Sequence, residues 1–324
     1  MIAPAGDDAR WMAAAVAIGE RGRGVTAPNP AVGCVIVRDG CVIGRGWTQP
    51  GGRPHAEAVA LAQAGSVADA TVFVTLEPCA HDSARGPACA DLLVAAGPAR
   101  VVVALVDPDE RTAGRGIARL REAGIVVYVG CGAAGATASL AGFLMRQRAG
   151  RPHVTLKLAT SLDGRIALAD GSSRWITGDR SRAHAHLERA RCDMILVGGG
   201  TLRIDAPRLD VRIDGLADRS PRRAVLTRGA VPAGWERVAA PEAVAGLDGV
   251  DSLLVEGGAG AAAAFLRAGL VDRLLLYRAP ILIGDGQAAL GDIGLGALDD
   301  AHGRWRLAGA RMLGSDRLEV YERA

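Results

Sequence analysis

Short β-branched runs alternate with helical patterns along most of this 324-residue chain, and that alternation leaves few folds open. Residues 9–21 read as an amphipathic helix. Residues 32–37 and 41–47 read as strands joined through Arg38-Asp39-Gly40, a hairpin signal. Then follow a helix at 55–64, a strand at 71–76, a helix at 89–96, a strand at 100–106, a helix at 116–123 and a strand at 125–129. The order predicts a mostly parallel sheet covered on both faces, with the opening hairpin as its antiparallel edge.

A glycine- and alanine-rich stretch at 130–135 breaks the pattern, and residues 137–148 read as a connecting helix. Arg151-Pro152 opens a strand at 154–159, which places a boundary near residue 148 and gives domains 1–148 and 149–324. Two domains also fit the length at ~150 residues each. The second half alternates again, with a helix at 180–191, strands at 194–197, 223–226 and 252–255, and a helix at 261–268. It closes with 273–277, 305–313 and 317–321, which read as antiparallel strands. No period of about 20–50 residues recurs, so the chain is no solenoid.

Composition narrows the function. With 49% hydrophobic and 23% charged residues the chain can fill two cores. A net charge of +3 without a basic run, and only 3% aromatics, argue against a nucleic-acid surface. The six cysteines are irregularly spaced and form no disulfide framework. Cys34, Cys41, Cys131 and Cys192 lie in or beside apolar segments and read as small hydrophobes. Residues 1–10 hold no apolar signal region, and no stretch reaches about eighteen apolar residues without charge. The expectation is a reducing cytoplasm and no membrane. Lys157 is the only lysine.

Chemistry concentrates at His55-Ala56-Glu57, which opens a helix after Gly51-Gly52-Arg53-Pro54. Pro78-Cys79 follows a strand, and Cys89 lies nine intervening residues further on. One imidazole and two thiolates fill three positions of a tetrahedral zinc site and leave a fourth for water, the catalytic pattern. Glu57 is placed to move protons without binding the metal. Zinc deaminases pair H-x-E with P-C-x-x-C, whereas here nine residues separate the cysteines. A structural zinc knot, or buried cysteines beside a capping histidine, are the bland alternatives. His81 is a competing ligand or a rim residue.

Two segments formally match dinucleotide fingerprints, Gly130-Cys131-Gly132-Ala133-Ala134-Gly135 and Gly258-Ala259-Gly260-Ala261-Ala262-Ala263. Neither is followed ~20 residues on by the acidic residue a Rossmann site needs. The first reads as a loop between domains. The second, like residues 198–200, reads as a phosphate-binding turn outside a Rossmann fold.

With these pieces assembled, Pro28-Asn29-Pro30-Ala31-Val32-Gly33-Cys34, His55-Ala56-Glu57 and Thr75-Leu76-Glu77-Pro78-Cys79 resemble the cytidine-deaminase-like superfamily. The long spacing to Gly86-Pro87-Ala88-Cys89, with Asp107-Pro108-Asp109 and Gly114-Arg115-Gly116, resembles the deaminase half of the bifunctional riboflavin-biosynthesis deaminase–reductases. The loop departs from that family: it is one residue longer and lacks the usual Gly-Arg/Lys-Thr stretch, which leaves Arg85 as the candidate substrate contact. Segments of the second half resemble the reductase half of the same family. They include residues 157–165, 173–177, 197–201, 205–209 and 255–258.

The resemblance implies an α/β protein: an N-terminal cytidine-deaminase-like domain, a mixed sheet flanked by helices, and a C-terminal dihydrofolate-reductase-like domain. It implies one Zn2+ per chain on His55, Cys79 and Cys89, with Glu57 catalytic and Asn29 on the nucleotide. NADPH would meet Ala159, Trp175, Thr201, Asp205, Thr227, Gly258, Ala259, Gly260, Ala261, Ala262, Ala263 and Ala264. Substrate would meet Ser173, Arg189, Leu209, Arg212 and Glu256, with the guanidinium forks of Arg189 and Arg212 suited to a ribose 5′-phosphate. Read alone, Arg189 is a solvated helix residue, Trp175 belongs to a core, and Asp163 is a turn residue with Lys157 as candidate partner.

The implied reaction removes the 2-amino group of 2,5-diamino-6-ribosylamino-4(3H)-pyrimidinone 5′-phosphate. NADPH then reduces the ribosyl chain to ribityl, with hydride delivered to C1′. A homo-oligomer acting on a small molecule is implied as well. The rivals are a nucleic-acid-editing zinc deaminase with a non-catalytic C-terminal domain and a structural zinc module that senses a nucleotide.

Overall fold

The computed structural model describes residues 6–81, 83 and 85–324. The chain divides into two compact units between Gly150 and Arg151. No described helix is long and apolar enough to cross a membrane.

The first unit runs α1 (Asp8–Gly19), β1 (Gly33–Arg38), β2 (Cys41–Trp47), α2 (Ala56–Ala64), β3 (Thr71–Val74), α3 (Cys89–Ala96), β4 (Arg100–Val103), α4 (Arg115–Glu122), β5 (Val126–Val129), α5 (Ala133–Ser139) and α6 (Ala141–Ala149). Its sheet has the order β2-β1-β3-β4-β5. β1 is antiparallel to both neighbours, while β3, β4 and β5 are parallel. Asp39 and Gly40 form the hairpin turn with φ of 51° and 71°, the left-handed pair that a two-residue turn between twisted strands requires.

Both faces of this sheet are covered, which is why its strands read as unbroken apolar runs. Ile36, Val72, Val74, Val101 and Val103 face Ala60, Leu93, Leu120 and Leu140. Val35, Phe73 and Val102 point the other way, toward Met12, Ala15 and Ala136. Two glycines bring α2 onto the sheet edge. A Cβ on Gly46 would lie 2.2 Å from the Ala56 carbonyl oxygen, and one on Gly44 would lie 2.4 Å from that of Ala60.

The stretch at 130–135 is not a loop between domains. It turns β5 into α5 inside the first unit, and Gly132, at φ 69°, presses on Met12. Nor is 137–148 one connecting helix: α5 and α6 break at Leu140, which is buried with Phe143 and Leu144 in the first unit's core. Alanine-rich sequence carries little amphipathic contrast, so periodicity could not show which core these helices join.

The second unit runs β6 (His153–Thr160), β7 (Arg165–Leu168), α7 (Asp179–Arg189), β8 (Met194–Gly198), α8 (Gly199–Asp205), β9 (Arg222–Leu226), β10 (Trp235–Val238), β11 (Ser252–Glu256), α9 (Ala259–Arg267), β12 (Arg273–Arg278), β13 (Gly286–Ala288), β14 (Trp305–Leu313) and β15 (Asp316–Arg323). Eight strands form the order β10-β9-β8-β11-β6-β12-β15-β14. The six from β10 to β12 are parallel, and β15 and β14 return antiparallel. β12 is thus antiparallel only toward β15, since its other edge joins β6 in parallel. β7 and β13 make a separate antiparallel ribbon. The main core sets Leu156, Met194, Leu253 and Val255 against Phe265 and Ala262 of α9.

Candidate functional site

In the first unit, chemistry gathers where elements begin. His55 is the N-cap of α2, Glu57 lies in its first turn, and Cys89 is the first residue of α3. The ligand atoms of His55, Cys79 and Cys89 lie within 4.8 Å of one another. His55 Nδ1 stands 3.3 Å from the Cys89 sulfur and 3.6 Å from that of Cys79. The Cys89 backbone N–H donates to the Cys79 sulfur at 3.2 Å. Hydrogen bonding from the Cys89 thiol, the His55 ring and that N–H holds the Cys79 thiol well below its ordinary range. A thiolate is what a divalent metal takes, so the donor set suits zinc.

Glu57 is 3% exposed, and burial pushes its carboxyl up to about 7. It lines a cavity of about 310 Å³ together with Asn29, His55, Cys79, His81 and Arg85. The Asn29 amide lies 3.2 Å from His55 Nε2 and donates to the Gly52 carbonyl at 3.0 Å. His81 lies outside the clustered donors, with Nδ1 3.3 Å from Thr112 Oγ1. Arg85 donates to the Gly51 carbonyl at 2.7 Å.

Sequence reasoning passed over Glu77. Buried beside Cys79, its carboxylate accepts the backbone N–H groups of Asp107, Gly114 and Ile117. It ties the segment leading into α4 to the stretch after β3 that carries Cys79. At Gly116 a Cβ would fall 2.0 Å from the Pro78 carbonyl oxygen, so that contact is sealed. The signal available was an acidic residue inside a strand-end motif, beside the more conspicuous cysteine.

The second unit carries two cavities, of about 840 and 200 Å³, that share Lys157, Ala159, Ile166, Ser173 and Arg189. The larger is lined by Thr201, Asp205, Leu209, Glu256, Gly258, Ala259, Gly260 and Ala261. Gly258 caps α9, and its N–H donates to Thr201 Oγ1 at 3.0 Å. The turns after β8 and β11 nearly touch, since a Cβ on Gly257 would lie 3.1 Å from the Gly198 nitrogen. Trp175 and Arg212 line the smaller cavity. Trp175 is 65% exposed, with the Arg182 guanidinium stacked 4.8 Å over its ring, so it belongs to no core.

Several expected residues sit elsewhere. Only the first turn of α9 opens on the larger cavity. The 3.6-residue period then carries Ala262 into the core and buries Ala263, and Ala264 lines neither cavity. Thr227 lines neither; its Oγ1 accepts the Gly229 N–H at 3.1 Å and abuts Gly199.

Arg189 lines both cavities, and three of its N–H groups are already engaged. Nε and Nη2 grip Glu256 at 2.8 and 2.7 Å, and Nη1 donates to the Asp210 carbonyl. Burial opposes the charge on Glu256, but hydrogen bonding to Arg189 and the charges of Lys157 and Arg189 outweigh it and hold the carboxyl below its ordinary range. Nor does Lys157 pair with Asp163. That carboxylate accepts from Ser161 Oγ and from the N–H groups of Ile283 and Gly284. The Lys157 ammonium instead sits 5.8 Å from the centre of the Tyr277 ring.

Comparison with known proteins places both units. Residues 5–105 match the cytidine and deoxycytidylate deaminase zinc-binding region, and residues 152–318 match the RibD C-terminal domain. The riboflavin biosynthesis protein RibD of Chlamydia muridarum is 48% identical over 226 residues, 68% of this chain and 61% of that protein. Its namesake in Chlamydia trachomatis is 40% identical over 339 residues, 91% of this chain and 90% of that one. A Thermotoga maritima structure, described as a diaminohydroxyphosphoribosylaminopyrimidine deaminase/5-amino-6-(5-phosphoribosylamino)uracil reductase, superposes with a TM-score of 0.87. It is 29% identical and covers 98% of this chain and 99% of that one. Strand order, the His/Cys/Cys cluster and two matched halves in one chain agree: the chain belongs to the RibD family of riboflavin-biosynthesis proteins.

Proposed function

We infer that the chain is a bifunctional deaminase–reductase of riboflavin biosynthesis, with deamination in the first unit and reduction in the second. The observation that carries the first assignment is the His55–Cys79–Cys89 cluster beside a buried Glu57 at a cavity. Zinc held by those three side chains supplies Lewis-acid activation of water at neutral pH. Glu57, raised to about 7 by burial, can take a proton near neutrality and return it to the leaving 2-amino nitrogen. Asn29 orients the His55 ring and faces the same cavity, where it would meet the pyrimidine nucleotide. Arg85 and His81 lie on the same cavity wall, within the lengthened loop.

In the second unit NADPH supplies the hydride. The α9 N-terminus, opened by Gly258, offers backbone N–H groups and a positive helix end to the cofactor's phosphates. Thr201 braces that turn, and Asp205 and Ala259 line the same cavity. The residues common to both cavities, Lys157, Ala159 and Ser173 among them, mark where cofactor and pyrimidine would meet. Arg189 acts by holding Glu256 in place, and Arg212 at the smaller cavity remains the cation for a 5′-phosphate. A net charge of +3 with 3% aromatics favours a small phosphorylated pyrimidine over nucleic acid. We place the enzyme in the cytoplasm as a homo-oligomer.

Incubation with the diamino-pyrimidinone phosphate, with and without NADPH, tests the reading. Ammonia should appear without NADPH, and NADPH should be oxidised only after ammonia is released. NADPH oxidation that precedes ammonia release would reverse the order and overturn it.

A further inference from the structure

Thr227 lines neither reductase cavity, yet it edges a notch beside the larger one. Gly199 follows β8, and a Cβ there would lie 3.3 Å from Thr227 Oγ1 and 3.3 Å from Arg203 Nη1. The missing side chain leaves a space bounded by one hydroxyl and one guanidinium. Arg203 reaches it from four residues on in α8, because helical side chains lean toward their own N-terminus. Thr227 Oγ1 accepts the Gly229 N–H, so its own proton remains to be donated elsewhere. Arg203 is exposed and has no hydrogen bond or ion pair among the described residues. Gly198 and Gly200, on either side of Gly199, line the larger cavity, so the notch adjoins it.

Strand order says what reaches that far. Parallel sheets take ligands in the crevice outside the carboxyl ends of their strands. From β6, which carries Lys157 and Ala159, the order runs through β11 and β8 to β9, and Thr227 follows the end of β9. Three strand spacings separate β6 from β9, about 14 Å. In the reductase reading the hydride donor lies toward β6 and the dinucleotide phosphates at the turn after β11. The adenosine half then continues past β8 toward the notch. Ile204, next to Arg203, is 80% exposed and lines the larger cavity, where it offers apolar surface to a purine.

We propose that Arg203 and Thr227 hold the 2′-phosphate of NADPH and so set its preference over NADH, which rests on the reductase reading above. The two cofactors differ only by that phosphate. A phosphate monoester carries close to two negative charges near neutrality, and a guanidinium with a hydroxyl supplies the donors it takes.

The test is a pair of binding titrations on the full chain, with NADPH and with NADH, each followed by its own fluorescence without turnover. The unmodified chain should bind NADPH about tenfold or more tighter than NADH, the worth of one charge-assisted hydrogen bond. Arg203→Met keeps the apolar stem and removes the charge. It should weaken NADPH about ten- to a hundredfold and leave NADH within about twofold. Arg203→Lys, a point charge without the fork, should lie between. Thr227→Val should weaken NADPH about three- to tenfold, as for one neutral hydrogen bond. The Arg203 variants should melt as the unmodified chain does, since the side chain is exposed.

An unchanged NADPH affinity in Arg203→Met, or equal losses for NADPH and NADH, overturns the proposal. So does an unmodified chain that binds the two cofactors alike. An unmodified chain that binds neither sinks the reductase reading itself.

Discussion

The two sites are built on opposite plans. In the first unit four side chains of distinctive chemistry converge at the starts of two helices and in the segment that follows β3. In the second, much of the larger cavity is glycine and alanine, and the N-terminal turn of α9 lines it. The first site depends on what its residues are, the second on how closely they let the backbone come. One substitution can therefore silence the first, whereas the second should yield by degrees.

Cys89→Ser tests the sharp end of that contrast. Loss of one of three ligands should strip the metal and abolish deamination, while NADPH-dependent reduction of the deaminated substrate persists. Metal analysis beside both assays decides it, and loss of both activities in a folded protein would break the two-site account. Glu57→Gln comes next. It should keep zinc but cost deamination about 10²- to 10⁴-fold, the usual worth of a positioned acid–base group. Retained metal distinguishes it from the cysteine variant.

Arg189→Met probes the second plan. It leaves Glu256 buried and unpaired, and removing one partner of such a pair costs about 3–5 kcal/mol. Thermal or urea unfolding of the reductase unit measures it. The pH sign follows from Glu256, whose carboxyl lies below its ordinary range when folded. The pair's contribution is complete above the unfolded carboxyl's pKa, about 4.3, and is lost as pH falls through the folded value. Stability of Arg189→Met should therefore fall less steeply with acid than that of the unmodified chain. The smallest effect is expected from Gly46→Ala. Its methyl would meet the Ala56 carbonyl, and overpacking of this kind costs about 1–3 kcal/mol. Deamination should suffer more than reduction, because α2 carries His55 and Glu57.

The same contrast decides what could be read from the chain. His55, Glu57, Cys79 and Cys89 were legible because few other roles suit those residue types at that spacing, and the structure brings the three ligands within 4.8 Å. Alternation of strands and helices was legible because both sheets are covered by helices. Pairing was less so. The β7–β13 ribbon joins segments more than a hundred residues apart, and neither is long enough to show a period. The Arg189–Glu256 pair was not legible, because nothing local reveals that a carboxylate 67 residues on arrives at that guanidinium. Ala262 illustrates a finer limit: a motif names a helix, but the helix turns part of that motif away from the cavity.

Lys157 holds a further consequence, in terms of labelling. Its ε-amine is the only one in the chain, stands half-buried where the two reductase cavities join, and faces Tyr277 and the charge of Glu256. An amine-selective acylating reagent used above neutral pH therefore has a single side-chain target in 324 residues. Its yield, read by mass spectrometry on the tryptic fragment, becomes a direct gauge of how full those cavities are.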